Sequence, residues 1–279
     1  MEQFIEDSSL QDWKVIGSGG FGQIYKARHR QWACDVAIKL LRYDDGTNAS
    51  LLREIKRMQE EVICVLGVFK GLPPNTKSGF SAQLGVVMEL MERGSLASLQ
   101  EALDGPPPWP LVFRLAHQVA QGINFLHSLP RPVLHLDLKP PNVLLDDSLN
   151  VKPTLVELLI PLGQRPLLDD IKGDALGLAE LTGLMQRCWD NKPEQRPRAL
   201  ECTTETEQLY KMHKDAIVDA VYEVLKKLDQ KAKEKVMTEQ VQRDQIAESS
   251  GLYYLYCILY IQLLPVSRPL NLTTPPSKL

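Results

Sequence analysis

Several features that would place a chain quickly are missing from this sequence of 279 residues. Cysteine occurs only five times, at Cys34, Cys64, Cys188, Cys202 and Cys257, and never in C-x-x-C spacing. An odd, scattered set argues against a disulfide scaffold and a structural zinc site, and a reducing, cytoplasmic location is expected. A large charge of either sign is absent: the formal net charge is −3, which offers no invitation to nucleic acid. The opening stretch MEQFIEDSSL is acidic and has no basic and apolar leader pattern, so no signal peptide is expected. The most apolar run, GLYYLYCILYIQLLPV, falls short of the roughly 18 residues of a membrane span, so no membrane attachment is expected either. There is no internal repeat. What is present is ordinary for a globular chain with a sizeable core: 44% hydrophobic and 24% charged residues.

Along the chain, the first ninety residues read as short strands with one helix, and helical patterns follow. WKVIGSGGFGQIYKARHR has β-rich flanks around a glycine cluster and predicts a hairpin; DVAIKLL predicts a third strand. ASLLREIKRMQEE has helical spacing at Leu51, Leu52, Ile55 and Met58. VICVLGVFK and LGVVMEL predict two more strands across a polar turn. PPPWP places proline at the start of the strongly helical LVFRLAHQVAQGINFLHSL. Short helices are expected at PTLVELLI and ALGLAELTGLMQRCW, then one long helix from 204 to about 248 with Tyr210, Ile217, Val221, Val224 and Leu228 on one stripe. Beyond Leu228 the helix turns polar and is expected to be solvated.

Three short motifs carry chemistry. Gly17, Gly19 and Gly22 stand in G-x-G-x-x-G spacing between two predicted strands, where glycine lets main-chain N–H groups approach phosphates. A dinucleotide fingerprint would open a helix instead, so the pattern favours a protein kinase glycine loop. Lys39, in V-A-I-K on the third strand, can reach phosphates, and Glu54 on the following helix is placed to pair with it. In HLDLKPPN, Asp137 is the candidate base, Lys139 can neutralise a transferring phosphoryl group, and Asn142 is the candidate magnesium ligand. Singly these are a tight turn, a surface lysine, a solvated glutamate and a polar loop. Their order along one chain makes those bland readings unsatisfactory.

From GSGGFGQIYKARHRQW, GVVMELMERGSLASL, LHLDLKPPNVLLD and LMQRCWDNKPEQRP, the chain resembles the receptor-interacting Ser/Thr protein kinases. ECTTETEQLYKMHKDAIVDAV is most similar to the necroptosis member of that family. The resemblance implies an α+β bilobal fold, its N-lobe a five-stranded antiparallel sheet plus a helix. It places the N-lobe at 10–92, a truncated helical C-lobe at 93–203, a helical extension at 204–249 and an unstructured tail at 250–279. It puts Met88 at the gatekeeper position and Glu89 to Met91 at the hinge that meets adenine. It extends the nucleotide site to Ile16, Ser18, Gly20, Phe21, Ile24 and Ala37. ATP with Mg2+ is the implied cofactor; protein substrates or other signalling kinases and pseudokinases are the implied partners.

One part of the pattern is missing. After Lys152 a kinase supplies Asp-Phe-Gly, an activation segment and a long buried helix. This chain gives PTLVELLIPLGQRPLL, which resembles a stretch well downstream, so roughly 65–70 residues of the family pattern are skipped. Skipped exons or a flawed gene model would produce such a junction. Asn142 alone would hold magnesium poorly, and Glu157, Asp169 and Asp170 are out of register. Phosphoryl transfer is therefore expected to be impaired. The alternatives are a nucleotide-binding pseudokinase scaffold and an unstable truncated product. Without the long helix, Leu115, Val119 and Leu126 are expected to lose their partner, and Arg196 must find water or another acid.

Overall fold

The computed structural model describes residues 4–19, 22–40, 62–73, 83–103, 105–130, 132–133, 135, 138–153, 171 and 173–238, with main chain alone at 18, 19, 22 and 235–238. The helix predicted around Leu51–Met58, the one predicted at PTLVELLI except for its first residue Pro153, which belongs to a strand instead, and the apolar tail lie outside these residues.

Six strands make the N-terminal sheet: β1 (Phe4–Glu6), β2 (Leu10–Gly19), β3 (Gly22–His29), β4 (Cys34–Leu40), β5 (Val65–Gly71) and β6 (Gln83–Glu89), in the order β1-β5-β6-β4-β3-β2. The five strands expected from the sequence are β2 to β6, paired antiparallel throughout. The expectation of five is corrected by β1, which adds a sixth strand parallel to β5, with Phe4 opposite Val68. Three residues with one buried side chain, Ile5, are too short to show strand alternation in sequence. β1 and β2 sit at opposite edges of the sheet, yet only the single turn Asp7–Ser9 joins them. Four peptide units from Glu6 to Leu10 span at most about 14 Å, so the sheet must curl until its edges nearly meet. The inside of the curl is the first core, built from Ile5, Leu10, Tyr25, Val36, Ile38, Phe69 and Val87, with Trp13 edge-on to both Tyr25 and Phe69.

After the sheet, the regular elements among the described residues are helices apart from one hairpin. α1 (Leu96–Ala102) starts at Ser95, whose hydroxyl accepts from the Ser98 amide while Ser98 Oγ accepts from the Ser95 amide. α2 (Trp109–Ser128) begins as predicted with proline in its first turn, where no N–H is required. β7 (Val143–Leu145) and β8 (Val151–Pro153) form the hairpin. α3 (Leu178–Cys188) and α4 (Ala199–Thr238) follow. The long helix starts five residues earlier than the sequence suggested. Ile217 and Val224 are buried on its stripe; Tyr210, Val221 and Leu228 are half-buried, and Asp229 and Gln230 beyond them are exposed.

The expected loss of partners on α2 is overturned. Leu115, Val119 and Leu126 are each 0% exposed. α4 runs antiparallel to α2 and covers it. Thr203 Oγ donates to the Ala120 carbonyl at 3.1 Å. His117 meets Thr206 at 3.3 Å and stacks on Tyr210, and Phe113 stacks on His213 at 4.3 Å between ring centroids. Further along, Leu209, Ala220 and Val224 enter the same core as Leu115 and Val119. Burial at 199, 202, 206, 209, 217, 220 and 224, with half-burial at 213 and 228, recurs every three or four residues, which keeps one face of a helix against a partner over its length. Arg196 also finds a partner of another kind: its Nε donates to the Asp190 carbonyl at 2.8 Å.

Candidate functional site

On β4, Val36, Ile38 and Leu40 point into the core, so Ala37 and Lys39 point outward by strand alternation. Register extends that face sideways: Ile24, Lys39 and Val86 form one row, and Lys26, Ala37 and Met88 the next. The predicted residues Ile24, Ala37, Lys39 and Met88 are therefore neighbours on one surface. Lys39 is half-buried there; Lys26 at the rim is held by Asp35 at 2.7 Å, which raises its pKa.

The glycine motif closes the β2–β3 hairpin. Gly17 lies opposite Ile24, Ser18 opposite Gln23 and Gly19 opposite Gly22, so Gly20 and Phe21 at the tip fall outside the described residues. Among the described residues a Cβ at Gly17 would meet only the Ile24 side chain, at an ordinary 3.7 Å, so packing against them does not demand glycine there. Ile16 is exposed beside it, at an irregularity between Val15 and Gly17.

At the far end of β6 the chain crosses to the helical part. Met91 is buried, and Gly94 takes a left-handed φ of 72° where an added Cβ would sit 2.6 Å from Ser98 Oγ. This turn is stitched to the hairpin: Arg93 N donates to the Leu145 carbonyl at 3.0 Å, and Leu145 N donates to the Gly94 carbonyl at 2.8 Å. The hairpin in turn follows the single turn Pro140–Asn142, in which Asn142 N donates to the Lys139 carbonyl at 2.8 Å. Lys139 and Asn142 are half-buried, and His135 is buried. Asp137 and Glu54 lie outside the described residues.

The surface suits a nucleotide: a glycine hairpin, a lysine on the sheet, small Ala37 and apolar Met88 and Ile24. The donor set for magnesium fits less well. Among the described residues no group of three or more His, Cys, Asp and Glu could hold a metal. Asn142 stands without a carboxylate from an Asp-Phe-Gly. The nearby Asp146 carboxylate is used by its own loop, accepting from Ser148 N at 2.9 Å, Asn150 N at 2.8 Å and Asn150 Nδ2 at 3.0 Å.

One residue that the motifs did not single out is Lys152. Its Nζ lies 2.8 Å from Glu89 Oε1 and 3.0 Å from Oε2. No local signal marks it, because it is one lysine in a three-residue strand. Only the register of β7 and β8, which sets Lys152 opposite Leu144, brings it behind the sheet. Burial and the charge of Glu89 raise the pKa of the adjoining Cys64 thiol, and Lys152 partly offsets them.

A protein kinase domain model matches residues 10–154. Receptor-interacting serine/threonine-protein kinase 4 of Mus musculus is 30% identical over 289 residues, taking in 76% of this chain and 35% of that protein. Its Homo sapiens counterpart is 43% identical over 147 residues, 50% of this chain and 16% of that protein. Receptor-interacting serine/threonine-protein kinase 3 of Rattus norvegicus is 38% identical over 53% of this chain and 30% of its own length. The chain thus spans about a third or less of these relatives, and more than one member of the group matches it, so no single member is singled out.

Proposed function

Because the chain belongs to the protein kinase domain family, we propose that it binds ATP on the outer face of the curled sheet and transfers the γ-phosphate slowly or not at all. On this reading residues 10–92 hold the nucleotide and 93–203 form a shortened second lobe. The main chain at Glu89–Met91 meets adenine, and the glycine hairpin and Lys39 meet the phosphates. Asp137, Lys139 and Asn142 make the catalytic loop. Bound magnesium would neutralise charge on the phosphates, but the described residues do not complete its ligand set. The observation that carries the reading is the sequence after Lys152, which lacks Asp-Phe-Gly, while Ile24, Ala37, Lys39 and Met88 before it share one face of the sheet. Removing one well-placed electrostatic group costs about 10²–10³ in rate, and here a metal ligand and the substrate platform are both missing.

A role as a nucleotide-binding scaffold for other signalling kinases follows from the same observation. A cytoplasmic setting agrees with the free cysteines Cys34, Cys64, Cys188 and Cys202 among the described residues, where no helix is long and apolar enough to cross a membrane. The test is a phosphorylation assay on the purified chain beside Asp137→Asn, together with ATP-induced thermal shifts with and without magnesium. The expected result is a shift that depends little on magnesium and no measurable transfer. Transfer at about 1 s⁻¹ or faster that disappears in Asp137→Asn would refute the reading, since that lies in the usual kinase range.

A further inference from the structure

Behind the nucleotide surface, three separate stretches of chain converge on one carboxylate. Glu89 ends β6, and its main-chain N donates to the Cys64 carbonyl at 3.0 Å. Its side chain returns the contact: Oε1 accepts from the Cys64 amide at 2.7 Å. From the hairpin, Lys152 reaches both oxygens of the same carboxylate, at 2.8 and 3.0 Å. One residue before Cys64 and one after Lys152, Ile63 N donates to the Pro153 carbonyl at 3.3 Å. Both charged side chains are largely covered, at 23% and 28% exposure. Glu89 lies opposite Val36 in the ladder, on the side away from Ala37 and Met88, so its carboxylate points away from the nucleotide surface.

The position of this junction matters. Val62 and Ile63, buried beside it, lead into β5; Glu89 is the first residue of the hinge; β8 belongs to the helical lobe. Lys152 is also the last residue before the family pattern breaks. The segment that follows in the family is absent from the sequence, while this contact remains. A charge-assisted bond to two oxygens holds a strand end more firmly than a neutral one. Partial burial protects it from screening.

We propose that Lys152 is a positioning residue for nucleotide binding: by clamping the Glu89 carboxylate together with the Cys64 amide, it holds the hinge main chain in the place where adenine docks. The proposal rests on the nucleotide-binding reading above. It predicts an effect on the adenine end of the ligand and little on the phosphate end, because the phosphates are assigned to the glycine hairpin and Lys39, which the clamp does not touch.

The experiment measures binding of the fluorescent analogue mant-ATP to the full chain, and its displacement by adenosine and by inorganic tripolyphosphate. The chains compared are the unaltered one, Lys152→Met, Lys152→Arg and Glu89→Gln. Loss of one charge-assisted hydrogen-bonded pair corresponds to about tenfold in affinity. Lys152→Met is expected to weaken mant-ATP and adenosine by about that factor, leave tripolyphosphate within about twofold, and be largely restored by Lys152→Arg. Glu89→Gln keeps an acceptor for the Cys64 amide but removes the charge. It should weaken adenosine in the same way, and it serves if Lys152→Met does not fold. Equal loss of adenosine and tripolyphosphate would make the clamp merely structural and overturn the proposal, as would unchanged or tighter adenosine binding. An unaltered chain that fails to bind mant-ATP overturns the nucleotide reading and this proposal with it. An unaltered chain that binds beside an unchanged Lys152→Met and an unchanged Glu89→Gln overturns this proposal alone.

Discussion

The clearest test of the helical half uses two valines six positions apart on α4. Val224 is 1% exposed and belongs to the core that contains Leu115 and Val119 of α2, whereas Val218 is 73% exposed. Replacing either by alanine removes the same two methyl groups and improves intrinsic helix propensity by the same amount, so the chemistry cancels and only the environment differs. At about 0.8 kcal/mol per buried methylene-sized group, Val224→Ala loses about 1.6 kcal/mol of transfer free energy. The cavity left behind adds to this, giving roughly 2–3 kcal/mol. Val218→Ala is expected within about 0.5 kcal/mol of the unaltered chain. Urea unfolding followed by far-ultraviolet circular dichroism measures both, and an unchanged m-value licenses the comparison. If α4 beyond the kinase-like region were a solvated extension, Val224→Ala and Val218→Ala would be alike within about 0.5 kcal/mol, and the assignment of α4 as the cover of α2 would be wrong.

Two further outcomes follow from side chains that sit badly or titrate. Gln100 on α1 is 5% exposed, and neither its amide nitrogen nor its oxygen has a hydrogen-bond partner, so Gln100→Met is expected to raise stability by about 1–3 kcal/mol in the same unfolding assay; a loss would show that the amide is satisfied. Burial keeps His117 below its ordinary pKa, and nearby Lys211 adds to the lowering, while Glu207 and the hydrogen bond to the Thr203 main chain partly offset it. The unfolded chain takes up that proton near pH 6.5 while the folded chain resists it, so stability is full above that pH and falls as pH drops below it. His117→Gln should flatten the dependence between pH 7.5 and 5.5, and an unchanged slope would refute the assignment.

The parts of this fold legible in sequence are those where one local pattern suffices. α2 announces itself by length, apolar spacing and Pro110, and the β2–β3 hairpin by glycines between β-rich flanks. Ile24, Ala37, Lys39 and Met88 were assigned by motif and resemblance, and register brings them onto one face. What stayed hidden depends on distant partners. β1 is visible only through its pairing with β5, because a strand of three residues has almost no period. The stripe on α4 was legible, but a stripe states that a face is buried and not what buries it. Thus the sequence suggested an orphaned α2, and the fold supplies a cover from the same chain. Lys152 belongs to the same class, since an isolated lysine acquires meaning only once β8 is placed behind β6.

The missing segment separates two properties that a complete kinase joins. The described contacts beneath the proposed nucleotide surface lie before residue 153: the curled core draws on Ile5 to Val87, the turn after β6 is sewn to the hairpin through Arg93, Gly94 and Leu145, and the ion pair with Glu89 ends at Lys152. None of these needs a residue from the absent stretch. Phosphoryl transfer differs, because it depends on the Asp-Phe-Gly aspartate, which holds magnesium together with the catalytic-loop asparagine, and on a platform that orients the acceptor. Both requirements fall on the segment that the sequence skips. Uniform binding of a nucleotide is compatible with no acceleration of its reaction, since only interactions stronger in the transition state raise the rate. A chain that keeps the cradle and loses the transition-state contacts should therefore hold ATP in an unreactive state. Nucleotide occupancy would then affect only conformation and stability, and the stabilisation grows with ATP concentration as RT ln(1 + [ATP]/Kd).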